Sequence, residues 1–259
     1  MRDQPYSNAF FEHISRTARR SAREIVPLVL ELVRPTSVID VGCGLGTWLA
    51  EFQAHGVSDV WGVDGDYVHA RDLEIPVERF LARDLTRPLR LDRRFDLVLS
   101  MEVAEHLPAE YADAFVASLA SLGPVILFSA AIPRQDGTHH VNGQWPEYWA
   151  ARFKVRGFEV IDCLRKQIWN NENVEWWYAQ NSFIYANSQA IETLLPLKNA
   201  LAMTNSAQLS LVHPKLYGHR MMLGDFSNLP VRKVVPALPY MFMNALRRRW
   251  ARHKSRTST

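Results

Sequence analysis

The stretch SVIDVGCGLGTW, residues 37–48, decides the fold. Val38, Ile39 and Val41 are typical of a parallel strand that is covered on both faces. From residue 48 to residue 52 the apolar side chains recur at helical spacing instead. Three alternate glycines separate the two patterns: Gly42, Gly44 and Gly46. Because glycine tolerates positive φ and lets a ligand approach the main chain closely, the pattern predicts a loop that binds a nucleotide cofactor.

The spacing of the glycines narrows the choice of cofactor. A dinucleotide-binding fingerprint, Gly-x-Gly-x-x-Gly, would place its third glycine at position 47, which is a threonine. The spacing found, Asp40-x-Gly42-x-Gly44-x-Gly46, resembles the first motif of class I S-adenosylmethionine-dependent methyltransferases. In that family an acidic residue precedes the glycines, so the resemblance implies cofactor contacts for Asp40 and the three glycines.

Three later segments follow in the order that this family requires. VWGVD, residues 60–64, resembles a second strand whose final residue, Asp64, would accept hydrogen bonds from both ribose hydroxyls; a turn or helix-capping role is the alternative. In FLARDL, residues 80–85, the resemblance implies that Asp84 accepts from the adenine amino group and that Leu85 covers the ring. A surface aspartate in a loop is the alternative for Asp84.

The third segment, residues 95–108, is similar to the family's fourth motif and would bring Glu102 to the cofactor pocket. The resemblance covers residues 36–187 and is closest to stand-alone bacterial enzymes that act on small molecules or glycans. It implies an α/β fold: a Rossmann-like, seven-stranded, mostly parallel sheet with helices on both faces and an antiparallel last strand.

Apolar periodicity supplies the remaining expected elements. It predicts strands at 124–130 and 158–162, and helices within 7–33, 108–122, 145–156 and 190–203. A final strand is expected from Trp176–Tyr178 together with Ser182–Tyr185, and a loop is expected from about 204 to 230. The expected domains are an N-terminal helical cap at 1–35, a methyltransferase domain at 36–187 and a C-terminal extension at 188–259.

Composition indicates a globular cytoplasmic protein. Of 259 residues, 47% are hydrophobic and 22% charged, and two cysteines do not make a disulfide framework. Neither a signal peptide nor a membrane span is expected. Residues 231–259 hold eight of the 30 basic and none of the 27 acidic residues, which leaves −5 for the rest of the chain. This distribution argues against a nucleic-acid partner, whereas the basic, aromatic tail could contact the inner face of a membrane or remain a solvated end.

The acceptor side is expected in the loop after the fifth strand, residues 131–149. His139 and His140 lie there beside polar and aromatic side chains, and a neutral histidine could take a proton from a hydroxyl acceptor. The alternative is that the polar residues only bond loop backbone and the aromatic residues pack on the next helix.

A divalent metal is a further hypothesis. Glu102, Glu105 and His106 stand at i, i+3 and i+4, so that one helical turn would set them on one face, with His140 as a fourth ligand and His139 as the base. The set resembles the metal site of small-RNA 3′-terminal 2′-O-methyltransferases and of ubiquinone-pathway O-methyltransferases. The same sequence motif, residues 102–107, also occurs in family members without a known metal.

Together these patterns predict S-adenosylmethionine-dependent O-methylation of a sugar, a glycan or another small hydroxylated acceptor. Two alternatives stay open: a metal-dependent RNA 2′-O-methyltransferase, and a non-catalytic subunit that keeps the fold and activates a partner. The sequence names neither the acceptor nor the oligomeric state.

Overall fold

The computed structural model describes the backbone of residues 8–223 and the side chains of residues 15–218. These residues belong to two compact units, one ending at His213 and the other beginning at Pro214. The basic tail at 231–259 lies outside the described residues. Among the described helices, none is both long enough and apolar enough to cross a membrane.

A seven-stranded sheet forms the centre of the first unit. Its strands are β1 (Ser37–Val41), β2 (Asp59–Asp64), β3 (Phe80–Ala82), β4 (Leu97–Met101), β5 (Val125–Ser129), β6 (Phe158–Ile161) and β7 (Phe183–Asn187). They lie in the order β3-β2-β1-β4-β5-β7-β6. Strands β1 to β5 are parallel to one another, and β7 is antiparallel to both β5 and β6. The predicted sheet with its antiparallel last strand is confirmed.

Helices flank the sheet. They are α1 (Asn8–Val33), α2 (Thr47–Ala54), α3 (Ala112–Leu122), α4 (Pro146–Val155), α5 (Arg165–Ile168), α6 (Trp176–Asn181), α7 (Ser188–Thr193) and α8 (Leu195–Ala202). The second unit contains α9 (Pro214–Leu223). Short 3-10 turns include Ala104–His106 after β4. The structure differs from the sequence prediction at α9, because these residues lie in the range for which the sequence predicts a loop.

The core has two parts, one on each face of the sheet. Alternate residues of β1 show the division, because Val38 packs in the cluster with α1 and α2 whereas Ile39 packs in the cluster with α3 and α4. Residues 38–41 are all buried, including Asp40, as expected for a strand covered on both sides.

The prediction of strand at Trp176–Tyr178 is wrong, because these residues form α6. Its turns are closed by bonds from the Ala179 N–H to the Glu175 carbonyl and from the Ser182 N–H to the Tyr178 carbonyl. The aromatic run has high strand propensity, but propensity yields to tertiary packing. Tyr178 lies edge-on against Trp48 of α2, with ring centroids 5.2 Å apart.

Candidate active site

A cavity of about 890 Å³ opens at the carboxyl ends of the parallel strands. It is lined by the segments that follow β1 to β5, namely residues 42–45, 64–67, 82–85, 101–103 and 135–138. The strand order reverses between β1 and β4, and ligands of open α/β sheets bind in the crevice at such a point. The volume falls in the range of small-molecule and cofactor sites.

The glycine loop follows β1 in the conformation that its sequence requires. Gly42 has a φ of 89°, and a Cβ there would come within 2.4 Å of a Val103 methyl carbon. The N–H groups of Gly42 and Cys43 both donate to the Val63 carbonyl, which ties the loop to β2. Gly42 and Gly44 line the cavity, whereas Gly46, with a φ of 85°, begins α2 outside the lining. Glycine is therefore needed here partly for the close contact between the first and fourth motifs.

Asp64 lies at the end of β2 and lines the cavity. One carboxylate oxygen accepts from the Gly44 N–H at 2.7 Å, and the other accepts from the Gly65 N–H at 2.7 Å and from the Tyr67 hydroxyl. Burial raises the pKa of Asp64, although these hydrogen bonds act in the opposite direction. The carboxylate thus fixes the glycine loop from within the cavity, and it keeps acceptor capacity because each of its oxygens has two lone pairs.

Asp40 takes a different place from the other predicted cofactor residues. It is buried on β1 and lies outside the cavity lining, and its Oδ1 has no hydrogen-bond partner among the residues that the structure describes. Burial, and then the charge of Asp64, raise the pKa of Asp40 to about 7. The geometry therefore gives Asp40 no direct route to a ligand in the cavity.

The segment after β3 forms the outer end of the cavity. Asp84 and Leu85 both line it. One oxygen of Asp84 accepts from the backbone N–H and hydroxyl of Thr86, at 2.9 and 2.6 Å, and these bonds lower the pKa of the Asp84 carboxyl. The turn orients a charged acceptor beside an apolar side chain, which is the pairing that an adenine amino group and ring require.

Glu102 occupies a left-handed turn after β4, with a φ of 56°. Its N–H donates to the carbonyl and the hydroxyl of Ser129, each at 3.0 Å. Its carboxylate accepts from the side-chain amides of Gln135 at 2.8 Å and Asn181 at 3.0 Å. Burial raises the pKa of Glu102 to about 7, although the two amide bonds oppose the shift. A non-glycine residue in this region is uncommon, and here it directs the carboxylate to the cavity.

Glu105, His106 and His140 form a cluster next to Glu102. One ligand atom of each lies within 4.8 Å of the others, and Glu105 Oε1 is 3.9 Å from His140 Nε2. Three buried atoms have no hydrogen-bond partner among the described residues: both side-chain oxygens of Glu105 and the Nδ1 of His106. Such orphaned groups are costly in a dry interior.

Burial governs the protonation of this cluster. It raises the pKa of Glu105 well above the usual range, with the Glu102 charge adding to the shift. It also lowers the pKa of His106 to about 4 and lowers that of His140. Both histidines are therefore neutral near pH 7, and burial favours the protonated, neutral form of both glutamates.

The structure separates the two neighbouring histidines. His140 lines the cavity, and its Nδ1 is 3.3 Å from the Gln135 carbonyl. His139 is exposed, has a φ of 58° and lies outside the lining. The expected helical turn also differs, because only Glu105 and His106 are in the 3-10 turn and Glu102 precedes it. Of the metal candidates, Glu105, His106 and His140 meet, whereas Glu102 lies outside this group and its carboxylate is held by Gln135 and Asn181.

Several residues that line the cavity are not predicted from the sequence. Ser15, Thr17 and Ala18 of α1 contribute to the wall, and Trp176–Tyr178 of α6 form another part of it. Gln135 lay within the expected acceptor loop, but nothing in the sequence pairs it with Asn181, whose amide donates to it at 2.9 Å. One contact in the cavity is local in the sequence: Tyr67, three residues after Asp64, donates its hydroxyl to the Asp64 carboxylate.

Comparisons with known proteins agree with this geometry. A sequence model of the family described as "methyltransferase domain" matches residues 11–182. DesVI from Streptomyces venezuelae has a TM-score of 0.51 at 18% identity, covering 66% of this chain and 92% of that one. CalS10 from Micromonospora echinaspora, an amino pentose methyltransferase solved with S-adenosylmethionine, has a TM-score of 0.54 at 16% identity, covering 71% and 98%. A search of curated proteins finds no match.

At these identities the solved structures show a shared fold, while the family match covers well over half of the chain. The chain belongs to the methyltransferase domain family and is a class I S-adenosylmethionine-dependent methyltransferase. The predicted cofactor, S-adenosylmethionine, is thereby confirmed.

Proposed function

We propose that the protein transfers a methyl group to a hydroxyl of a small acceptor, such as a sugar or glycan unit. The observation that carries this proposal is the position of His140. Its ring lines the same cavity as the glycine loop, and a hydrogen bond to the Gln135 carbonyl favours the tautomer that leaves Nε2 unprotonated. A hydroxyl acceptor needs such a base, because its proton must leave as the methyl group arrives.

The cofactor residues have separate tasks in this proposal. Asp64 accepts from the ribose hydroxyls while it holds the glycine loop, and Asp84 with Leu85 receives the adenine. S-adenosylmethionine supplies the methyl group when bound. Glu102, held by Gln135 and Asn181, faces the reacting end, and the aromatic side chains of α6 exclude water beside it.

The cluster next to Glu102 also fits a divalent metal, and we include metal binding as a second part of the proposal. Glu105, His106 and His140 would be ligands, since their orphaned buried atoms are the type that a cation satisfies. Glu102 would be a fourth ligand. A bound ion supplies Lewis acidity that favours loss of the hydroxyl proton. Because His140 Nε2 cannot hold an ion and accept a proton at once, the two roles of His140 exclude each other.

The test is capture of a labelled methyl group. The full chain is incubated with isotopically labelled S-adenosylmethionine and with fractions of sugars, glycans and RNA 3′ ends, and labelled products are identified by mass spectrometry. We expect an O-methylated small molecule. A product labelled only on RNA would favour the 2′-O-methyltransferase alternative, and a chain that binds the cofactor yet labels nothing without a partner would favour the non-catalytic subunit.

The metal is tested separately, by calorimetric titration of chelator-treated protein with Mn²⁺ or Zn²⁺. Glu105→Gln should lose at least tenfold in affinity, whereas the exposed Glu110→Gln should not. Full turnover after chelation, with no heat of metal binding, would assign His140 to the base role alone.

A further inference from the structure

A row of four arginines runs along one face of α1. Its members stand at i, i+3, i+4 and i+7: Arg16, Arg19, Arg20 and Arg23. We call this row the arginine stripe. Residues at these spacings are neighbours on a helix surface, and like charges there disfavour the helix. The opposite face of α1 is apolar and buried, with Ala22, Ile25 and Val29 fully enclosed, so the helix does not need the stripe in order to dock.

The stripe lines a second cavity, of about 710 Å³. Ser15, Thr17 and Leu45 line both this cavity and the cofactor cavity, so the two spaces adjoin at α1 and the glycine loop. Among the residues whose side chains are described, four arginines and two carboxylates, those of Glu74 and Glu175, line the second cavity. This surplus of positive charge occurs in a chain that is otherwise net negative before its basic tail.

Acidic side chains contact three members of the stripe, Arg19, Arg20 and Arg23, without using all of their N–H donors. Arg19 contacts Glu74 at 2.5 Å and Arg20 contacts Glu175 at 2.6 Å, in each case through one terminal nitrogen. Arg23 reaches Glu51 only at 3.9 Å and is 66% exposed. A guanidinium carries five N–H donors, so these contacts leave donors of Arg20 and Arg23 available beside the cavity.

Held guanidinium groups are suited to planar, multiply bonded anions. Phosphate and diphosphate groups accept paired N–H bonds from arginine, and these are among the strongest hydrogen bonds in proteins. We propose that the stripe binds a phosphate or diphosphate group of the methyl acceptor, while the acceptor's hydroxyl lies in the adjoining cofactor cavity. This inference rests on the proposed function and adds the acceptor's charge class to it.

The experiment measures binding rather than turnover. The full chain, saturated with S-adenosylhomocysteine, is titrated calorimetrically with inorganic pyrophosphate. The double variant Arg16→Gln/Arg23→Gln should lose about tenfold or more in pyrophosphate affinity, because each charge-assisted bond contributes on the order of a tenfold factor. Arg156→Gln, at an exposed position after α4, removes a charge elsewhere and should leave pyrophosphate affinity unchanged.

Three results would overturn the inference: no pyrophosphate binding to the wild type, equal binding by the double variant, or loss of S-adenosylhomocysteine binding in the double variant. The last would assign the arginines to the cofactor's carboxylate. Any of these three results can be obtained even if the protein methylates a neutral acceptor. Conversely, the protein can bind pyrophosphate even if no methylated product is found. The two proposals can therefore fail separately.

Sedimentation with phosphatidylglycerol vesicles identifies the source of the phosphate. If the acceptor is lipid-linked, vesicle binding should be weaker in the double variant than in Arg156→Gln. Equal vesicle binding by the two, with weaker pyrophosphate binding in the double variant, assigns the site to a soluble phosphate ester.

Discussion

At the scale of single residues, the neighbours His139 and His140 differ in exposure, in backbone conformation and in their position relative to the cavity. His140 lies against a buried carboxyl at the cavity, while His139 projects from a left-handed position on the surface. Gly137 explains part of the difference, because a Cβ there would come within 2.0 Å of His140 Nε2. The imidazole of His140 therefore occupies space that exists only beside a glycine.

We expect His140→Ala to lower kcat by about 100-fold or more, since it removes either the base or a metal ligand. His139→Ala is the matched control and should keep kcat within about threefold, because its ring lies outside the cavity. Cofactor affinity should remain near the wild-type value in both. A larger loss of turnover in His139→Ala than in His140→Ala would contradict the assignment.

Asp64 offers a second prediction at this scale. Asp64→Asn should weaken S-adenosylhomocysteine binding by about 10- to 100-fold, because a charged acceptor is lost from the ribose end and from the Gly44 N–H together. Isothermal calorimetry measures this, with the exposed Asp72→Asn as control. An affinity within twofold of the wild type would show that ribose binding does not depend on this carboxylate.

At the scale of elements, Arg165 joins several chain segments behind the active site. Its side chain is 2% exposed and forms a two-bond ion pair with Asp162, at 2.8 and 2.5 Å. It also donates to the carbonyls of Gln180, at the end of α6, and Leu209. The Gln180 side chain in turn donates to Asn181 at 2.9 Å, and Asn181 holds Glu102. The ion pair thus supports the side-chain amides that hold Glu102.

Arg165→Ala should lower the free energy of unfolding by about 3 kcal/mol, because a carboxylate that is only 14% exposed and two carbonyls lose their partner. Urea denaturation followed by circular dichroism measures it. The exposed Arg156→Ala should change stability by no more than about 0.5 kcal/mol. If both variants unfold at the same urea concentration, the contacts of Arg165 have no net stabilising effect.

The elements also show where sequence reasoning succeeds. The glycines at 42–46 and the strand pattern at 38–41 are local signals. The glycine loop, the strand before it and the methyl donor can therefore be predicted from the sequence. The link between Gln135 and Asn181 spans 46 positions and depends on how β7 inserts, which no local pattern encodes. The strand predicted at Trp176–Tyr178 failed for the same reason, since contact with α2 rather than propensity decides its form.

At the scale of the whole molecule, stability should depend on pH through buried carboxyls. The pKa of Asp40 is about 7 in the folded protein and near 3.8 when the chain is unfolded. Between these values the folded state holds more protons, so its stability is complete below pH 3.8 and falls as pH rises through 7. The lowered pKa of His106 acts in the opposite direction between about 4 and 6.5, so a comparison with a variant is needed.

Urea denaturation at pH 5, 6, 7 and 8 should show that the wild type loses stability relative to Asp40→Asn. The difference should grow by up to about 1.4 kcal/mol per pH unit and level off above pH 7, because the amide does not ionise. Asp113→Asn, with a carboxylate 74% exposed, should track the wild type. Parallel pH profiles of the wild type and Asp40→Asn would mean that Asp40 is ionised throughout.

The position of β7 between β5 and β6 has a consequence for the order in which the protein can assemble. As the chain leaves the ribosome, β6 is complete 22 residues before β7 begins, yet β7 is the strand that pairs with it. Until then β5 and β6 both expose unpaired edges, which favour association with other chains. Translation halted after residue 182, where the family match ends, should therefore yield an aggregating product, although all the cofactor residues have been made.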